Sequence, residues 1–187
     1  PMSTDYTSAS SQRHHVPTAA WTGKPITVSA WAKPESSAVN QFILWVGETA
    51  VNNVKYGLVL HTTLKARFRL EDGGAYTLDS TGSWSTGSWW HCGYVDAAAT
   101  DHSVWLAGAE TNNTGNGVVV LDSGSYRTCI GADAGSTPAS FMDGLLGHVA
   151  VWNVALSDNC MIALANGASP LKVARGNLTN YWPLTNQ

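Results

Sequence analysis

The chain is 187 residues long with a formal net charge of −3, and it is 44% apolar but only 12% charged. That is half the charged fraction of about 25% usual in globular chains. Its ten Lys and Arg form no cluster, which excludes an electrostatic footprint for nucleic acid or anionic lipid. No stretch approaches the roughly 18 apolar residues that span a bilayer, so neither nucleic acid nor a membrane is expected as a partner. The surface is expected to be covered by the 36 Ser and Thr, 18 Gly and 12 Asn, small uncharged groups that suit strands, turns and contact with other surfaces. The length fits one all-β domain over residues 1–187.

The expected strands are short, rich in β-branched and aromatic residues, and bounded by Gly, Asn, Asp, Ser or Pro. In chain order they are Ile26–Lys33, Gln41–Gly47, Tyr56–His61, Ala66–Leu70, Ala75–Leu78, Trp90–Asp96, His102–Ala107, Gly117–Asp122, Arg127–Gly131 and Leu146–Trp152. In the fourth, Ala66, Phe68 and Leu70 alternate with Arg67 and Arg69, the period of two of a half-buried strand. Turn chemistry follows at Glu71-Asp72-Gly73-Gly74 and again at Asn112–Gly117. One helix is expected, starting after Ser157, burying Cys160, Met161, Leu164 and Ala165, and ending at Asn166-Gly167. Many even strands without intervening helices predict an antiparallel two-sheet sandwich or jelly roll.

The residues offer little for catalysis. Glycoside hydrolysis needs two carboxylates flanking the sugar bond, yet Glu35, Glu48, Glu71 and Glu110 have no carboxylate partner close by within an expected strand. There is no Gly-x-Ser-x-Gly elbow for a serine hydrolase. His91 and His148 fall inside strands and read as structural. His14 and His15 are adjacent and would point to opposite faces, so they cannot easily share a metal. Cys92, Cys129 and Cys160 lack the spacing of a zinc site and read as buried thiols, with one disulfide left open.

Specific landmarks stand on this frame. Ile26-Thr-Val-Ser-Ala-Trp-Ala-Lys-Pro34, Trp89-Trp90-His91-Cys92, Thr128-Cys-Ile-Gly-Ala-Asp133, Met142–Ser157 with its Asp143-Gly144, and Tyr181-Trp-Pro-Leu184 occur in this order. Together they resemble the laminin-G-like, concanavalin A-like jelly rolls, from about Ser8 to Leu184. Ala9–Val16 is similar to the opening strand of such domains in phage virion proteins. The resemblance implies a jelly-roll sandwich whose last segment returns beside its first strand. It leaves calcium as the one cofactor to consider, through Asp5, Asp133 and Asp143; no other cofactor is expected.

Nine Trp in this length is many. Trp31, Trp45, Trp105, Trp152 and Trp182 lie in strands or the closing segment and are expected to fill the core. The family's core Trp matches Trp90, which implies that Trp89 points outward. Trp84, in the Gly/Ser-rich loop Thr81–Ser88, is expected to join it as an exposed contact patch. Arg67 and Arg69 complete the candidate binding residues, as a row on an open sheet face.

The expected protein is a non-catalytic virion surface module, a phage capsid decoration or tail-associated protein. It would contact capsid or tail neighbours, with surface glycans as further partners and a small homo-oligomer in view. A carbohydrate-binding module or lectin is the alternative, and a glycoside hydrolase the third reading. The start at Pro1, without a basic-then-apolar leader, suggests synthesis in the host cytoplasm and residence on the virion, with secretion as the alternative.

Overall fold

The structure, a computed structural model, describes residues 4–6, 12–49, 54–72, 75–113, 126–134 and 139–184. Its strands are β1 (Thr4–Tyr6), β2 (His14–Val16), β3 (Ile26–Pro34), β4 (Gln41–Glu48), β5 (Val54–Leu60), β6 (Ala66–Asp72), β7 (Ala75–Asp79), β8 (Trp90–Ala98), β9 (Asp101–Leu106), β10 (Ala109–Asn113), β11 (Tyr126–Ile130), β12 (Gly144–Trp152) and β13 (Leu178–Trp182). An α-helix, α1 (Asp158–Ala165), follows β12, and short 3-10 turns occupy Pro170–Lys172 and Arg175–Asn177 before β13. A seven-stranded antiparallel sheet runs β1-β12-β3-β8-β9-β10, with β13 sharing the β12 edge beyond β1. A six-stranded antiparallel sheet runs β2-β11-β4-β5-β6-β7. The two face each other across the core as an all-β jelly-roll sandwich.

Each expected strand within the described residues is present, with ends displaced by no more than two residues. Gly117–Asp122 lies outside them. β10 was not expected, because Ala-Glu-Thr-Asn-Asn carries little strand propensity; its pairing along β9 supplies what local preference lacks. The helix ends as the sequence predicts, at Asn166 with Gly167 at φ +89°. Ser157 holds the N-cap position without a side-chain capping bond.

Alternation builds the core. From the seven-stranded sheet, Val28, Ala30, Ala32, Cys92, Tyr94, Val104, Leu146, Val149 and Val151 point inward to meet Leu44, Val46, Tyr56, Leu58, Phe68, Leu70 and Ile130 of the other. Tyr56 meets Trp21, Phe68 and Tyr94 edge-on with ring centroids 5.2, 5.4 and 5.7 Å away. Such pairs contribute about 0.5–1.5 kcal/mol each beyond burial.

The seven-stranded sheet is also covered on its outer face. Val95, Trp105, Ala150 and Trp152 pack there against Leu156, Met161, Leu164 and Val173. The Thr27 hydroxyl donates to Val154 O at 2.8 Å and accepts from Leu156 N at 3.0 Å, fastening the entry to α1. Trp152 Nε1 donates to Val173 O at 2.9 Å. Gly93 makes the close approach possible, since a Cβ there would lie 2.5 Å from Val28 O and 2.8 Å from Met161 Cε.

Polar groups are buried as well. Asp96 is fully buried and takes Lys24 Nζ and His102 Nδ1 on one oxygen, each at 2.8 Å. Burial pushes its carboxyl pKa up against the pull of Lys24. His91, 1% exposed, has its pKa lowered by burial to about 4. Cys92 and Cys129 are buried, Cys160 is half-buried on α1, and all three thiols are free.

Gly93→Ala drives a methyl into backbone and the α1 contact, and is expected to cost about 1–3 kcal/mol in chemical denaturation; an unchanged midpoint would refute the docking argument. His91 ordinarily titrates near 6.5, so between that value and about 4 the unfolded chain binds the extra proton. Its contribution to stability is therefore complete above pH 6.5 and declines toward pH 4, by roughly 3 kcal/mol. His91→Gln should flatten that decline relative to wild type, with Asp96 common to both proteins.

Candidate functional site

Where α1 ends, the outer face of the seven-stranded sheet opens into a cleft of about 300 Å³. Ser29 and Trp31 supply its floor from β3, Trp89 enters just before β8, and His148 comes from β12. Leu164 and the segment Gly167-Ala168-Ser169-Pro170 complete the lining.

Each group is placed by local structure. Trp31 alternates outward between buried Ala30 and Ala32, and its partner across the ladder on β12 is Gly147, which leaves room for an indole. Trp90 packs against the core, so Trp89 falls on the other side. His148 owes its position to a β-bulge. Gly147 pairs with Trp31 and Ala150 with Ser29, so three steps of β12 span two of β3. The extra residue takes φ +52°, a left-handed conformation that costs a non-glycine about 1–2 kcal/mol. Its imidazole lies nearly parallel to the Tyr181 ring, at 10° and 6.0 Å, and Nδ1 shares a 2.6 Å hydrogen bond with the Tyr181 hydroxyl. Burial lowers the His148 pKa and so favours the neutral ring.

Beneath Trp31 the fold brings Ser29 Oγ within 2.8 Å of His91 Nε2, a pairing that the sequence did not reveal. A nucleophile and base would sit this way, but the chemistry is wrong. With a pKa near 4, His91 is a feeble base, and its buried Nδ1 has no hydrogen-bond partner among the described residues to orient the ring. Trp31 stands edge-on over it at 5.6 Å. The Ser29–His91 bond therefore fixes the floor. Among the described residues no carboxylate lines the cleft for glycoside hydrolysis. What the cleft offers is two half-buried indoles, a neutral imidazole and hydroxyls, a lining that can stack on and hydrogen-bond to a small ligand.

The other candidate residues lie elsewhere. Trp84 is not exposed: it is 1% accessible and belongs to the core. Its loop folds inward because backbone bonds pin it, Trp84 N to Leu64 O and Gly87 N to Pro34 O, both at 2.8 Å, so the indole closes one end of the sandwich. Trp31, expected in the core, takes the place beside Trp89 that was assigned to Trp84. Trp45, Trp105 and Trp152 are buried. Arg67 and Arg69 project from the outer face of the six-stranded sheet, and neither lines the cleft. Arg67 forms a bidentate pair with Asp79 at 2.6 and 2.7 Å, and Arg69 pairs with Glu71. The Arg67 hydrogen bond holds the Asp79 carboxyl below its ordinary pKa. Lys55 lies 3.7 Å from Glu71 and 3.8 Å from Asp133. Among the described residues no three His, Cys, Asp or Glu side chains gather as a metal site.

The family model for the concanavalin A-like lectin/glucanases superfamily matches residues 6–160. No curated protein matches the chain. Among solved structures, domain 4 of AbnA, a GH43 extracellular arabinanase from Geobacillus stearothermophilus in complex with arabinotriose, is 18% identical with a TM-score of 0.67, covering 81% of this chain and 71% of that one. The CBM40 of the Ruminococcus gnavus IT-sialidase, bound to alpha2,3 sialyllactose, is 17% identical with a TM-score of 0.68, covering 76% and 83%. The enzymatically active domain of tailspike protein 2 from bacteriophage CBA120 is 16% identical with a TM-score of 0.68, covering 96% of this chain but 29% of that one. At these identities the structures speak for the fold, and they agree with the sequence match and with the sandwich. The chain belongs to the concanavalin A-like lectin/glucanase superfamily.

Proposed function

We propose that this protein is a non-catalytic carbohydrate-binding jelly roll whose sugar seat is the Trp31–Trp89 cleft. The observation that carries the reading is the pair of half-buried indoles lining one concavity beside the oriented His148. Indole faces accept the C–H face of a pyranose ring, and a few fixed polar groups then select among its hydroxyls. The sugar-bound arabinanase domain and CBM40 support it, since both set a saccharide on the same fold.

A virion surface is the setting we favour for such a module. Its support is the low-charge skin of Ser, Thr and Asn, the phage-like opening segment Ala9–Val16 and the tailspike domain among the similar structures. Capsid or tail neighbours would then hold the module while the cleft faces outward.

Glycan-array screening followed by calorimetry tests the binding reading. Trp31→Ala and Trp89→Ala are each expected to weaken the best glycan by roughly tenfold or more, about 1.4 kcal/mol or above, while Arg67→Ala leaves it unchanged. Retention of binding in both Trp variants, or a preference for a peptide over every glycan, defeats the assignment. Co-sedimentation with assembled particles tests the setting separately.

A further inference from the structure

The lining of the cleft also bears on which sugars it can take. Its nine described residues are Ser29, Trp31 and Trp89, then His148 and Leu164, then Gly167 through Pro170, none of them Asp, Glu, Lys or Arg, and burial favours the neutral form of His148. The next outward residue along β3 is Lys33, one alternation beyond Trp31, and it stands outside the lining. Arg67 and Arg69 lie on the opposite sheet, committed to Asp79 and Glu71. A carboxylate taken from water into this cleft would meet no Lys or Arg among the described lining residues and would keep most of its desolvation cost. An uncharged ring faces no such cost.

The polar groups fit a neutral ligand. Tyr181 occupies His148 Nδ1, which leaves Nε2 as the ring nitrogen for a sugar hydroxyl. Ser169 Oγ accepts from Leu171 N at 3.3 Å and keeps its own hydrogen to donate. The Ser29 hydroxyl is shared with His91 at 2.8 Å. Few directional bonds beside two indoles suit recognition through one apolar ring face. The volume of about 300 Å³ stands at the lower end of small-ligand sites, which run from about 300 to 1,000 Å³, and suits a single residue rather than a long oligosaccharide.

We infer that the cleft selects one uncharged pyranosyl residue and discriminates against carboxylated sugars such as sialic acid, although a sialyllactose-bound module shares the fold. This inference rests on the carbohydrate reading above and narrows it to a ligand class.

The test is a titration of the wild-type protein carrying isotope-labelled tryptophan, followed by its indole N–H signals. Trp31→Phe and Trp89→Phe identify the two cleft signals, so the readout does not depend on an alanine variant folding. Methyl glucoside, methyl galactoside and methyl mannoside are compared with methyl sialoside. At least one neutral glycoside is expected to move both cleft signals with a Kd roughly tenfold or more below that of the sialoside. Ala168→Lys, which sets an ammonium on the cleft wall, should narrow that gap. Equal or tighter sialoside binding at the same two signals overturns the selectivity while leaving carbohydrate binding in place. Silence from every glycoside defeats the carbohydrate reading itself, and this inference with it.

Discussion

The structure depends on a sheet covered on both faces. In most sandwiches the outward side of a strand meets water, but here α1 and the segment after it lie on the outside of β3, β8, β9 and β12. Two small residues allow it: Gly93, where any side chain would strike Met161, and Thr27, whose hydroxyl bridges Val154 and Leu156. This second layer explains why Ser29, Gly93, Val95 and Trp152 are buried although they face away from the main core. It also creates the site. The helix stops at Ala165, and between its end and Trp31 the sheet face stays partly open. The cleft is thus the margin of a layer whose main role is structural.

The bulge in β12 depends on that layer. One extra residue between Gly147 and Ala150 changes the side of everything that follows in the strand, so that Val149 and Val151 reach the inner core while Ala150 and Trp152 meet α1. Without it the apolar pattern of the second half of β12 would face the wrong way. The same residue, His148, is stabilised in its left-handed conformation by the Tyr181 hydroxyl and by the bond from its own N–H to Pro183 O at 3.2 Å. Register and site therefore share one irregularity. Backbone strain kept at a cleft wall is the pattern expected where position matters.

Much of the fold was legible because period-two alternation is a direct consequence of burying one face. Ala66, Phe68 and Leu70 inward with Arg67 and Arg69 outward is the clearest case. The site was less legible, for three physical reasons. Trp84 sits among Gly and Ser, residues that signal an exposed loop, but the backbone bonds that turn the loop inward come from Leu64 and Pro34, distant in sequence. His148 looked like an ordinary strand residue because a bulge leaves no mark of its own beyond the neighbouring Gly147. Trp31 was assigned to the core on the general burial of strand tryptophans, although its alternation with Ala30 and Ala32 already placed it outside. Trp89 was placed outward by resemblance, and its partner could not be named without the tertiary structure.

The two outer faces of the sandwich differ in kind. On the six-stranded sheet, charges cancel by register: Arg67 stands directly across from Asp79, and Lys55 from Glu71. Such cross-strand pairs contribute modestly, about 0.2–1 kcal/mol each, but they occupy the cations that an anionic ligand would need. Phe42, Trp45 and Val59 are buried on that same face, with Trp45 laid over Gly57. On the seven-stranded sheet the described lining of the cleft holds no Asp, Glu, Lys or Arg and is aromatic. A chain with few charged residues thus pairs several of them on one face and leaves the cleft on the other to shape and stacking. In the cleft a ligand can displace water without first separating an ion pair.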